Sequence, residues 1–173
     1  MPWWEVLERP GLRFGRTDPV GDPQGRNIIF TLQLAARLYD RPELVERVLG
    51  DPRNPAQIFS EPSIEARLQS GELDAAAAYR VQPGPFGLPY VTLPAQVDLS
   101  DDRRQAQYAA AGLTLDGKTY HPEPLVYYAA LLGDAPHPAQ AAAFVRFLAG
   151  EGQALFRSAG YDAPGASAPL RAG

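Results

Sequence analysis

The fourteen residues from Phe14 to Asn27 constrain this chain more than any other stretch. A short apolar strand runs into a turn punctuated by Pro19, Gly21 and Pro23, and the turn runs into a long helix. Asp22 is a good N-cap, and Pro23 suits the first helical position because its missing N–H would have no partner there. Such a helix start offers free N–H groups and the positive end of the helix dipole at the mouth of the strand, where an anion would sit.

The rest of the chain alternates helical and extended patterns. Spacing of apolar residues and stop signals predict helices over 2–8, 25–39, 41–49 (capped by Asp40), 61–69, 138–149 and 153–159. Strands are expected over 13–16, 73–79, 90–93 and 125–132, with a hairpin over 113–120 turning at Asp116-Gly117. Residues 94–107 read as polar and exposed, and 164–173 as a disordered tail. The class is therefore α/β with a largely parallel sheet. In such sheets ligands bind beyond the carboxyl ends of strands, which selects the loop at 17–26 and the strand end at Tyr79-Arg80.

Composition narrows the function. Sixteen basic side chains, fifteen of them arginine, face twenty acidic ones, for a net charge of −4. They form no basic stripe, so nucleic acid is not an expected partner. With no cysteine in the chain, disulfides, thiolate metal sites and a cysteine nucleophile are excluded. No run of about 18 apolar residues exists, so no membrane insertion is expected. His121 and His137 have no carboxylate at ligand spacing, so no metal site is expected. There is no G-x-S-x-G, no P-loop lysine and no H-E-x-x-H, so neither an enzyme nor a cofactor is expected. The opening Met1-Pro2-Trp3-Trp4-Glu5 is not a secretory signal. The expected location is cytoplasmic if Met1 is the natural start, and periplasmic or otherwise extracytoplasmic if the chain is a fragment of a longer precursor.

Several segments, in order, carry a family resemblance. Trp4-Glu5-Val6-Leu7 is followed by Phe14-Gly15 and Asp22-Pro23-Gln24-Gly25. Leu68-Gln69-Ser70-Gly71-Glu72-Leu73-Asp74 precedes Tyr79-Arg80. Tyr90-Val91-Thr92-Leu93-Pro94 precedes Val97-Asp98-Leu99-Ser100, and Ala143 to Leu148 leads into Gly152-Gln153-Ala154-Leu155-Phe156. Together they resemble the molybdate/tungstate-binding proteins of ABC transporters, which are extracytoplasmic solute-binding proteins of the periplasmic-binding-protein type. The resemblance implies two α/β lobes with an oxyanion in the cleft. Residues 1–10 would be an N-terminal helix, 11–105 lobe two, and 106–163 the hinge return and the C-terminal part of lobe one, the N-terminal part of lobe one being absent. By position, Asp22 matches a carboxylate that in some members approaches the metal centre of the oxyanion. The second such position is Ala78, so in place of two-carboxylate coordination the resemblance leaves a tetrahedral oxyanion held by N–H groups, or no ligand at all.

The candidate ligand-binding residues are Thr17, Asp18, Asp22, Gln24, Gly25, Arg26, Asn27, Tyr79 and Arg80. Each has a plainer reading. Asp22 is also an N-cap, Thr17 and Asp18 an ordinary turn, Arg26 a solvated side chain and Tyr79 a core tyrosine. Three roles remain open: a non-catalytic oxyanion-binding protein working with an ABC permease, the effector domain of a transcriptional regulator, and a truncated lobe serving as a dimeric interaction module. A homodimer through the 125–132 strand or its flanking helices is expected because unpaired sheet edges recruit other chains.

Overall fold

A computed structural model of the chain describes residues 1–164. The chain divides into two compact units, Met1–Leu125 and Val126–Gly173. The expected tail, from 165 onward, lies outside the described residues.

The first unit is organised around β1 (Phe14–Gly15). On one edge β1 pairs in parallel with β2 (Ala75–Ala76), Phe14 opposite Ala75 and Gly15 opposite Ala76. On the other edge Arg16 bridges Ile58, also in parallel, as Arg16 N–H donates to Gln57 O (2.8 Å) and Phe59 N–H donates to Arg16 O (3.0 Å). Three parallel segments thus end side by side, but the ladder is far shorter than the sheet expected from sequence. The only three-residue ladder among the described residues is antiparallel: β3 (Leu113–Leu115) against β4 (Lys118–Tyr120), around the expected Asp116-Gly117 turn.

Helix α2 (Pro23–Leu38) supplies much of the core, burying Ile29, Phe30, Leu32, Leu34, Ala35 and Ala36. Leu44, Val48 and Leu49 of α3 (Leu44–Leu49) complete one side, and Val97, Leu99, Tyr108, Leu113 and Leu115 join the same cluster. Gln33 pins the hairpin to α2 by exchanging two 2.9 Å hydrogen bonds with the backbone of Gly112. Helix α1 (Trp3–Leu7) is held by Trp4 stacked on Tyr39 and by Arg41, which lies over the Trp4 ring and bonds both carboxylate oxygens of Glu8. Helix α4 (Glu61–Gln69) follows the 57–59 segment directly.

Four expectations are corrected. Helix α3 starts at Leu44 rather than 41, and Asp40, at φ 53°, is not its cap. Pro42 keeps the residue before it out of the helical region, which delays the helix. Residues 90–93 form no ladder, and Tyr90 and Val91 are exposed. Pro89 and Pro94 bracket them and bring no N–H to a neighbour. Residues 94–107 are not simply exposed: Val97 and Leu99 are fully buried. Just beyond them, Tyr108 heads α5 (Gln105–Tyr108) into the core, where its hydroxyl donates to Ala95 O at 2.6 Å. Burial raises the Tyr108 pKa.

The fourth correction concerns the 125–132 segment, most of which lies in the second unit. It is extended without a partner strand among the described residues, and Tyr127 and Leu132 are 76% and 70% exposed. An apolar run becomes a strand only when another segment accepts its backbone groups. The second unit otherwise holds α6 (Pro138–Ala149) and α7 (Gln153–Ser158), neither of which buries a side chain fully. Tyr161 meets Tyr127 and Phe156 edge-on, each at 5.6 Å between ring centroids. No described helix is long and apolar enough to cross a membrane.

Beside the β1–β2 pair, Arg13 grips Asp74. Its Nε and its backbone N–H both donate to Oδ2 at 2.9 Å, and Nη2 donates to Oδ1 at 2.6 Å. The Arg13 guanidinium, with its backbone N–H, holds the Asp74 pKa down at about 2, against an ordinary 3.8. A carboxylate depressed on folding stabilises the fold above its unfolded pKa and loses that contribution as pH falls through its folded pKa. Asp74→Asn is therefore expected to flatten the pH dependence of urea unfolding between about pH 4 and 2, relative to the wild type.

Candidate functional site

The carboxyl ends of the parallel segments open into a cleft of about 380 Å³ lined by Thr17, Asp18, Gly21, Asp22, Ile58, Phe59, Ser60 and Glu61. Two helices begin at its rim. Asp22 is the N-cap of α2 and Ser60 that of α4, with Pro23 and Glu61 as the first helical residues. The positive ends of two helix dipoles therefore meet beyond the strand ends. Thr17, 3% exposed, lines this cleft, and its Oγ1 is buried without a hydrogen-bond partner.

The carboxylates of the cleft are each turned to a donor. Asp18 accepts from Val20 N–H (2.9 Å), Asp22 from Gln24 N–H (2.8 Å), and Glu61 from Gln82 Nε2. Asp22 thus makes the capping bond expected of it, satisfying one of the orphan donors of the first turn.

Behind the first turn of α2 lies a polar relay that sequence inspection misses. Gln24, 5% exposed, donates from Nε2 to Gln82 Oε1 at 2.8 Å, and Tyr79 N–H donates to the same oxygen at 2.5 Å. Gln24 Oε1 is buried with no partner. Asn27 Nδ2 donates to the Tyr79 hydroxyl at 3.2 Å. Four of the nine candidates are linked in this way or through the cap: Asp22, Gln24, Asn27 and Tyr79.

Gly25, Arg26 and Arg80 occupy other settings. Gly25 is where the loop crosses the helix: a Cβ there would lie 2.4 Å from Thr17 O and 2.7 Å from Pro19 N. Arg26 turns back to its own loop, donating to Pro19 O (2.9 Å) and Val20 O (3.3 Å), and lies 4.5 Å over the Tyr120 ring. Arg80 follows Tyr79 at the surface.

Arg16 is a second residue that pattern reading passes over. It is fully buried, with Nη2 donating to Asp51 O (3.2 Å) and Pro52 O (2.7 Å) and Nε donating to Gln57 Oε1 (3.2 Å), while Nη1 is buried without a partner. Burial lowers its pKa, and the charges of Asp18 and Asp51 oppose that shift. It precedes Thr17 in the chain, and its guanidinium is spent on the 51–57 segment.

Residues 1–162 match the protein family described as bacterial extracellular solute-binding protein. The chain belongs to this family. Similar solute-binding proteins include the molybdate/tungstate-binding protein WtpA of Pyrococcus abyssi, 30% identical over 90% of this chain and 52% of its own length. The protein of the same name from Thermococcus kodakarensis is 31% identical over 86% of this chain and 48% of its own. A Haloferax volcanii protein, provisionally named an ABC transporter molybdenum-binding protein, is 38% identical over 73% of this chain and 41% of its own. This solute-binding chain spans about half the length of the curated relatives it matches.

Two substitutions separate the structural tasks at the cleft. Gly25→Ala, which drives a Cβ into main chain, is expected to cost about 1–3 kcal/mol. Gly21→Ala, where a Cβ meets nothing within 4 Å, should stay within about 0.5 kcal/mol of the wild type. Asp22→Ala should lose about 1 kcal/mol of capping while Asp22→Asn keeps most of it. Urea midpoints followed by circular dichroism read all four.

Proposed function

We propose that this chain is the oxyanion-binding part of a solute-binding protein that serves an ABC importer, taking a small tetrahedral dianion of the molybdate/tungstate class in the 17–22/58–61 cleft. The observation that carries the reading is the cleft itself, placed beyond the ends of parallel segments and faced by the starts of α2 and α4 in a chain of this family.

The chemistry needed is modest. A dianion leaving water must find donors to replace its hydration shell and positive potential to offset desolvation. Thr17 lines the cleft, and its buried Oγ1 lacks a partner. Two helix starts and the buried guanidinium of Arg16 set a positive potential behind it. Because Asp18 and Asp22 are already turned to backbone N–H donors, the dianion sits against hydroxyls and amides on that side of the cleft. Binding involves no proton transfer and no covalent step, and the role is non-catalytic.

Titration calorimetry of the chain against molybdate, tungstate, sulfate and phosphate tests this. Saturable heats with molybdate and tungstate, weakened at least about tenfold in Thr17→Val, are the expected result. Silence with all four anions overturns the reading.

A further inference from the structure

Gln82 places a neutral oxygen where two donors converge. Gln24 Nε2 approaches its Oε1 at 2.8 Å and Tyr79 N–H at 2.5 Å, while its Nε2 donates to Glu61, a wall residue of the cleft. The orientation of the carboxamide follows from these partners: Glu61 as a carboxylate only accepts, so the NH₂ faces it and the oxygen faces the donors. The side chain folds back over its own turn, closed by Gln82 N–H to Tyr79 O at 2.9 Å. It is only half-buried, so a rotation about its side-chain bonds takes it toward solvent. Gln24 is nine-tenths buried, so its Nε2 donor needs a replacement acceptor once Gln82 leaves.

The geometry points to Gln82 as a built-in occupant of an oxyanion subsite. Its carboxamide oxygen holds the donors of Gln24 and Tyr79 in place, and one oxygen of the bound dianion takes them over when Gln82 swings out. This rests on the oxyanion-binding reading and deepens it by naming the subsite and its competitor. A ligand that must displace an internal group binds with an affinity reduced by the fraction of molecules already open.

Calorimetry with tungstate on the full chain compares wild type, Gln82→Ala and Gln82→Ala/Gln24→Ala. Removing the competitor is expected to tighten binding roughly tenfold, and removing Gln24 as well to abolish the gain. Wild-type binding that is unchanged or weakened in Gln82→Ala overturns the subsite while leaving the oxyanion reading intact. Absence of binding in both proteins overturns the two together. Should Gln82→Ala not melt cooperatively, ¹⁵N NMR of the wild type decides. Tungstate is expected to move the Tyr79 amide and the Gln24 side-chain amide and to give the Gln82 NH₂ the shifts of a solvent-exposed carboxamide. Saturation that leaves these three resonances in place overturns the proposal.

Discussion

Everything at the cleft depends on how closely the backbone of Thr17 to Pro19 lies against the first turn of α2. Gly25 permits that approach, since any side chain there would stand inside van der Waals range of main-chain atoms. The contact fixes where the helix begins relative to the end of β1. That placement puts Asp22 over the Gln24 amide, puts Thr17 on the cleft wall, and sends the Gln24 side chain toward Gln82. Gly25 thus serves as a spacer between two backbones.

The electrostatics of the cleft follow from which charges are mobile. Asp18 and Asp22 sit at its edge, each with a backbone N–H partner, while Glu61 accepts from the Gln82 side chain. Arg26, the cation nearest the helix start in sequence, satisfies loop carbonyls and the Tyr120 ring. The positive groups near the cleft that hold fixed positions are the helix starts and the buried Arg16. Under the proposed function, fixed donors and charges cost no reorganisation when the anion arrives.

What could be read from sequence was what is decided locally. The strand–turn–helix around Asp22, the helices at 61–69 and 138–149, and the Asp116-Gly117 hairpin all rest on caps, prolines and glycines within a few residues, and all are found. The 90–93 and 125–132 segments failed because strand formation depends on a partner elsewhere in the chain. Val97, Leu99 and Tyr108 went unrecognised as core because nothing in a polar-looking stretch reveals that Tyr108 will bond back to Ala95. Of the candidate site, Thr17, Asp18 and Asp22 reach the cleft. Gln82 and Arg16 could not be found, since their roles depend on contacts 58 and 41 positions away.

Arg16 carries a consequence for how this fold can drift. Two of the three acceptors that hold its guanidinium are main-chain carbonyls, those of Asp51 and Pro52. A carbonyl is present whatever side chain accompanies it, so these two contacts survive substitution at 51 and 52 as long as the path of the chain is kept. Gln57 has no such latitude, because its amide oxygen is the one side-chain acceptor. A compact ammonium in place of the planar fork could not reach all three at once. The Arg16 contact therefore demands fidelity at its two side-chain ends, Arg16 and Gln57, and at 51–52 only the path of the main chain.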